Sequence, residues 1–203
     1  MNAVPGSSGS GWKIGCLAVV GVVVLLAVIL GVAFVNLYNK SVKMDEGVKE
    51  KWSEVENQLK RRYDLIPNLV ETVKGYAAHE KEVFTRIAEA RAAYFSAKDV
   101  GEKAKAAGDL ERSLSRLLML KETYPQLKAD QNFLKLQDSL EGTENRIAYA
   151  RTQYNEAVKE LNSFVRSFFG RFFAAFTGVK EAEYFEIPEE QKEQMQQAPA
   201  VKF

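Results

Sequence analysis

Apolar positions along this chain fall into one unbroken block followed by a long rhythm. From Gly15 to Val35 the sequence GCLAVVGVVVLLAVILGVAFV carries no charge. A helix rises about 1.5 Å per residue, so a run of this length crosses the ~30 Å hydrocarbon core of a bilayer. Secretory h-regions are shorter and end at a small-residue cleavage site. Phe34, Val35, Asn36 and Leu37 make a poor one. A lipobox would place the apolar stretch before Cys16, whereas here it follows. The run reads as a retained transmembrane helix over 14–38, after a short flexible N-terminus over 1–13.

Beyond Lys40 the apolar positions recur at steps of three and four. Val48, Trp52, Val55, Leu59, Ile66, Leu69, Val73 and Tyr76 lead to Val83, Ile87 and Tyr94. This is helical amphipathicity over more than ten turns. Nothing punctuates the join with the apolar block, so the anchor is expected to run into the first soluble helix. Pro67 predicts a kink or restart, because proline removes a backbone donor and crowds the preceding turn. Asp64 is placed to cap a restarted segment. The first turn is expected at 96–101. A second helix follows over about Glu102 to Thr123, with Leu110, Leu114, Leu117 and Leu118 on one face, closed by Tyr124-Pro125.

The cleanest pattern is a heptad seam: Phe133, Leu136, Leu140, Thr143, Ile147, Ala150, Tyr154, Ala157, Leu161, Phe164 and Phe168. Gly170 is expected to end this third helix. A short aromatic segment follows before Gly178, and the Glu-rich stretch to Glu193 and the last ten residues read as disordered. No strand alternation appears. The fold class is all-α: a transmembrane helix, then an antiparallel bundle of three long helices and a short C-terminal one. The bundle is expected over 39–187, with a disordered tail over 188–203.

Composition adds exclusions. The formal net charge is +1, and basic residues gather on no one stretch, which argues against nucleic acid as a partner. Lys40, Lys43, Lys49 and Lys51 follow the span while only Lys13 precedes it, a bias that favours the C-terminal body on the cytoplasmic side. The one histidine, His79, lacks the second histidine of a zinc-protease helix, since Val83 stands where it would be needed. A di-iron bundle needs two Glu-x-x-His pairs. There is no glycine-rich phosphate loop and no nucleophile elbow. No catalytic, metal or cofactor residues are assigned.

Two clusters remain as candidate sites. Arg61, Arg62, Asp64, Pro67 and Asn68, with His79 downstream, form a dense polar break in the first helix. They suit either satisfaction of backbone groups and ion pairing to a neighbouring helix, the plainer reading, or a partner-docking surface. Phe168, Phe169, Phe172, Phe173 and Phe176 form a broad apolar face flanked by Arg166, Arg171 and Lys180. They suit either a helix capping the bundle with the phenylalanines in the core, which is preferred, or a helix in the membrane interface.

The stretch from Trp52 to Glu80, with QLKRRYDLIPNLV at its centre, resembles the LemA family. ENRIAYARTQYN at 144–155 and Tyr184-Phe185-Glu186 match it further on, in the right order. The resemblance covers roughly 35–187 and implies a single-pass protein of the bacterial inner membrane with a soluble helical bundle. It implies no defined activity. Members often have Phe-Pro after the last long helix; Phe168-Phe169 here implies that the third helix runs on to Gly170. The functional expectation is a non-catalytic membrane-tethered scaffold or adaptor. The alternative is an accessory subunit of a membrane enzyme such as a quality-control protease. Expected partners are the lipid bilayer, other membrane proteins and a second copy of the chain. Eleven seam positions exceed what a short second helix covers, and Ala27 and Gly31 make a small-xxx-small pair in the anchor.

Overall fold

A computed structural model of the chain describes residues 10–186, with side chains from Cys16 onward except at position 18. The expected tail at 188–203 and most of the expected flexible N-terminus lie outside the described residues. All regular structure among them is helical.

α1 runs from Ser10 to Lys74 without interruption, 65 residues that include both the apolar block and the first soluble helix. At about 1.5 Å per residue it is close to 100 Å long. The expected restart at Pro67 does not occur. The proline lies on the exposed side of α1, and the helix continues beyond it for another two turns. Ile66, Leu69 and Val73 are buried on the opposite side and hold it there.

The unbroken pattern from Val48 to Tyr94 nevertheless divides. Residues 75–80 form a turn, and α2 (Lys81–Ser96) leads back along α1. Tyr63 and Tyr94 meet at 4.5 Å between ring centroids, which fixes the antiparallel register. Gly75 opens the turn, and the amides of Tyr76 and Ala77 both bond the Val73 carbonyl, closing the last turn of α1 tightly. Apolar spacing survives the reversal because Ala77 still packs into the core. The first soluble helix of the sequence reading is therefore two helices.

α3 (Val100–Thr123) starts at Asp99, whose carboxylate accepts from the Glu102 amide at 2.7 Å. The Glu102 carboxylate in turn accepts from the Lys98 amide, a reciprocal pair that anchors the turn. Tyr124-Pro125 ends α3 as expected, and Pro125 opens the single turn α4 (Pro125–Ala129). α5 (Gln131–Arg166) is capped by Asp130, which accepts from the amides of Asn132 and Phe133. α5 returns along α1 towards the apolar end. The core runs between these helices from Val48 to Phe185.

Of the expected seam, Phe133, Leu140, Thr143, Ile147, Ala150, Tyr154 and Leu161 are buried, and Val158 and Asn162 join them. α1 is the main helix packed against this face. Phe168 is 87% exposed and does not belong to it. The helix does not run on to Gly170. It stops at Arg166, and Ser167 begins α6 (Phe168–Thr177) by accepting from the Gly170 amide at 3.1 Å. Gly170 is required by crowding: a Cβ there would lie 1.8 Å from the Phe164 carbonyl oxygen. Gly178, at φ +74°, ends α6 in the left-handed conformation that glycine adopts without strain.

Residues 179–186 open the Glu-rich stretch that reads as disordered, yet they fall inside the span expected for the bundle, over 39–187. They form an extended strap along α5. Asn162 exchanges two hydrogen bonds with the backbone of Ala182, and Asn155 exchanges two with Phe185. Two asparagine side chains thus satisfy backbone that has no helix or sheet to serve it.

Candidate functional site

The polar cluster around Pro67 divides: Arg61, Asp64, Pro67 and Asn68 share the exposed side of α1, while Arg62 and His79 lie elsewhere. Helical spacing puts Arg61, Asp64 and Asn68 on the exposed side of α1 and Arg62 on the buried side. Asp64 caps nothing; it pairs with Lys60 at 3.1 Å. The Asn68 carbonyl accepts from the Thr72 hydroxyl one turn on. His79 is exposed in the 75–80 turn. That turn lies at the end of α1 far from the apolar block, about 50 Å beyond Lys40.

Arg62 is the exception. Its side chain is 7% exposed, and it bridges Glu111 of α3 at 2.7 Å and Glu144 of α5. The plainer of the two readings, an ion pair to a neighbouring helix, holds for this residue. Burial pushes the Glu111 carboxyl up against the opposing pull of Arg62, and burial lowers the nearby Arg151 guanidinium. Burial also drives the Tyr63 phenol upward. Lys103 of α3 adds a second ion pair, to Glu56 of α1.

Sequence reasoning missed Glu111, Arg151, Asn155 and Asn162. Glu144, Arg151 and Asn155 lie within the 144–155 stretch that carried the family resemblance, and their roles are now visible. Glu144 takes Arg62 from the first matching stretch. Arg151 covers the Phe185 ring at 4.7 Å, and the Tyr154 hydroxyl donates to the Glu183 carbonyl. Trp52 packs on both Tyr154 and Phe185. The three matching stretches therefore contact one another along one side of the bundle. Among the described residues no group of three His, Cys, Asp or Glu side chains converges as a metal site.

The aromatic segment is the other candidate. The preferred placement put its phenylalanines in the core, and only Phe173 is there, at 5% exposure. Phe168, Phe169, Phe172 and Phe176 are 62–87% exposed. α6 does not cap the far end of the bundle; it packs against α1 where the apolar block ends. Phe173 meets Phe34 edge-on at 5.0 Å, and Phe176 meets Phe34 and Tyr38 at 5.9 and 6.3 Å. The Ser41 hydroxyl, fully buried, bonds that of Thr177 at 3.0 Å. Lys40 lies 5.6 Å over the Phe164 ring. Between α6 and α1 runs an open groove of about 1250 Å³ whose walls include Leu30, Phe34, Leu37, Phe169 and Phe172.

α1 is the one described helix long and apolar enough to cross a membrane, and the membrane-length stretch has no buried residues. Comparison with known proteins agrees with the motifs. The chain is 28% identical over 196 residues to magnetosome proteins MamQ 1 and MamQ 2 of Paramagnetospirillum magneticum, covering 84% of this chain and 70% of theirs. It is 26% identical over 190 residues to magnetosome protein MamQ of Magnetospirillum gryphiswaldense, covering 79% and 70%. The model of the LemA family matches residues 51–203. The chain belongs to the LemA family.

Proposed function

We propose that this protein is a non-catalytic scaffold, fixed in the bacterial inner membrane by a single pass and displaying its bundle on the cytoplasmic side. One observation carries the reading: the anchor and the core share α1. A hinge between span and body would let the body swivel. Here the helix that faces lipid up to Val35 supplies core residues from Val48 onward, so the faces of the bundle stand at a fixed height and rotational phase relative to the span. Such rigidity suits the holding of partner proteins in register.

Orientation rests on the lysines after the span. The polar residues gathered by the family-matching stretches are used in holding helices together, which leaves the outward faces of α2 and α3 as docking area. Crosslinking in intact membranes followed by mass spectrometry tests this. Crosslinks from α2 or α3 to a defined set of membrane proteins, or to a second copy of the chain, are expected. Crosslinks confined to a single enzyme would make the chain an accessory subunit. A chain that crosslinks to no protein would end the scaffold reading.

A further inference from the structure

α6 sits at a definite depth. The apolar run ends at Val35, before Asn36, so Phe34 marks the edge of the hydrocarbon when the run spans the bilayer. α6 packs on Phe34, Tyr38 and Ser41, which lie within about 10 Å along the helix beyond that edge. This is the depth of the headgroup and upper acyl region.

Its faces agree with that depth. At 3.6 residues per turn the exposed Phe168, Phe169, Phe172 and Phe176 share an arc of about 100°, the width of a one-sided apolar face. Gly170, Phe173 and Ala174 turn the other way, into the bundle. Arg171 lies outside both arcs and is exposed. A ten-residue helix showing four phenylalanines to water would be costly, because apolar area kept in water forgoes the dominant favourable term of burial. The groove beside it is continuous with the lipid-facing surface of α1, since Leu30, Ala33 and Phe34 form one wall and belong to the span. Whatever surrounds the span therefore reaches the groove.

We propose that α6 lies in the membrane interface as a second attachment, with the acyl chains of surrounding lipids filling the groove between it and α1. The proposal rests on the reading of α1 as a membrane span. Arg171 stands at the edge of the apolar face, where it reaches lipid phosphate. The body is then held at two points, and the foot limits its tilt.

The test uses the full chain in vesicles of phosphatidylethanolamine and phosphatidylglycerol, carrying single spin labels in a Cys16→Ser background. Labels go at Phe172→Cys and Ala175→Cys in α6, Leu25→Cys in the span and Met119→Cys on α3. Ala175→Cys keeps every phenylalanine, so it reports even where Phe172→Cys loosens the helix. Both α6 labels are expected to fall between the two references, with several-fold higher preference for oxygen over a polar nickel complex than Met119 shows and less than Leu25 shows. α6 labels as open to nickel as Met119, with Leu25 still apolar, would overturn the foot and leave the anchor standing. Labels closed to both reagents would put protein in the groove and overturn the lipid assignment. A Leu25 label open to nickel would remove the anchor and the proposal with it.

Discussion

Replacing Arg62 with methionine removes the one charge that ties α1 to both α3 and α5, while keeping most of the apolar stem. Arg62 is 7% exposed, but Glu111 and Glu144 are 38% and 45% exposed. Breaking a fully buried pair costs about 3–5 kcal/mol, because the abandoned charge cannot rehydrate. These carboxylates can turn to water, which lowers the expected loss to about 2–3 kcal/mol. For a domain of this size each kcal/mol moves the melting temperature by about 2–4 °C, so Arg62→Met should melt about 4–12 °C lower. Circular dichroism of the full chain in detergent reads the shift. A cycle with Glu111→Gln isolates the pair, and groups in direct contact couple by about 0.5–3 kcal/mol. A melt unchanged by Arg62→Met, or a coupling under about 0.3 kcal/mol, would refute the claim that this contact ties α1 to its neighbouring helices.

Gly170→Ala should detach α6, because its Cβ would meet the Phe164 carbonyl oxygen at 1.8 Å; a label at Ala175 should gain mobility while the helical content of the bundle stays nearly constant. A body starting at Ser41 should remain soluble, helical and cooperative, since the core begins at Val48. It loses Phe34 and Tyr38, however, so exchange of α6 amides should be much faster than in the full chain; a coil-like product would contradict the first expectation. Asp130 accepts from the Phe133 amide and from the Tyr76 hydroxyl at 2.8 Å, which hold its carboxyl below the usual 3.8. A depressed acid stabilises the fold above its unfolded value and ceases to do so as pH falls through its folded value. Asp130→Ala should therefore lower the melting temperature near neutrality and narrow its gap to wild type below about pH 4; a gap independent of pH would count against the linkage.

The seam of α5 was legible because burial on one face of a long helix leaves a strict three-four rhythm. The ends were less so. The turn at 75–80 hides in the sequence since Ala77 keeps the rhythm while the chain reverses, and Gly75 alone is weak punctuation. Pro67 misled in the other direction. A proline on the exposed side of a helix forfeits one hydrogen bond, and burial of Ile66, Leu69 and Val73 on the other side outweighs that loss. The strap at 179–186 has charged composition, and nothing local predicts order. Its order comes from Asn155 and Asn162, which are 20–30 residues away in the chain. Of the two candidate sites, the aromatic face was visible as composition, while its position against Phe34 is a tertiary fact. The arginine cluster was visible as a motif, but which arginine pairs is decided by helix phase: Arg61 and Arg62 differ by 100° about α1.

The family-matching stretches and the aromatic foot divide the labour of the molecule. Arg62 with Glu144, and Trp52, Arg151 and Asn155 with Phe185, form successive contacts along the bundle, each joining two or more segments. Residues used this way let a sequence pattern specify a shape. A single-pass anchor fixes the height of that shape and leaves its tilt free. Tilt needs a second contact off the axis of α1, and among the described segments α6 is the one that combines a position beside the span with an outward apolar face. In the proposed arrangement the distal turn at 75–80 projects about 50 Å from the bilayer on a helix that cannot swing. A partner docked on α2 or α3 would be held at a set distance from the lipid, which is the service a rigid, chemically silent post can supply.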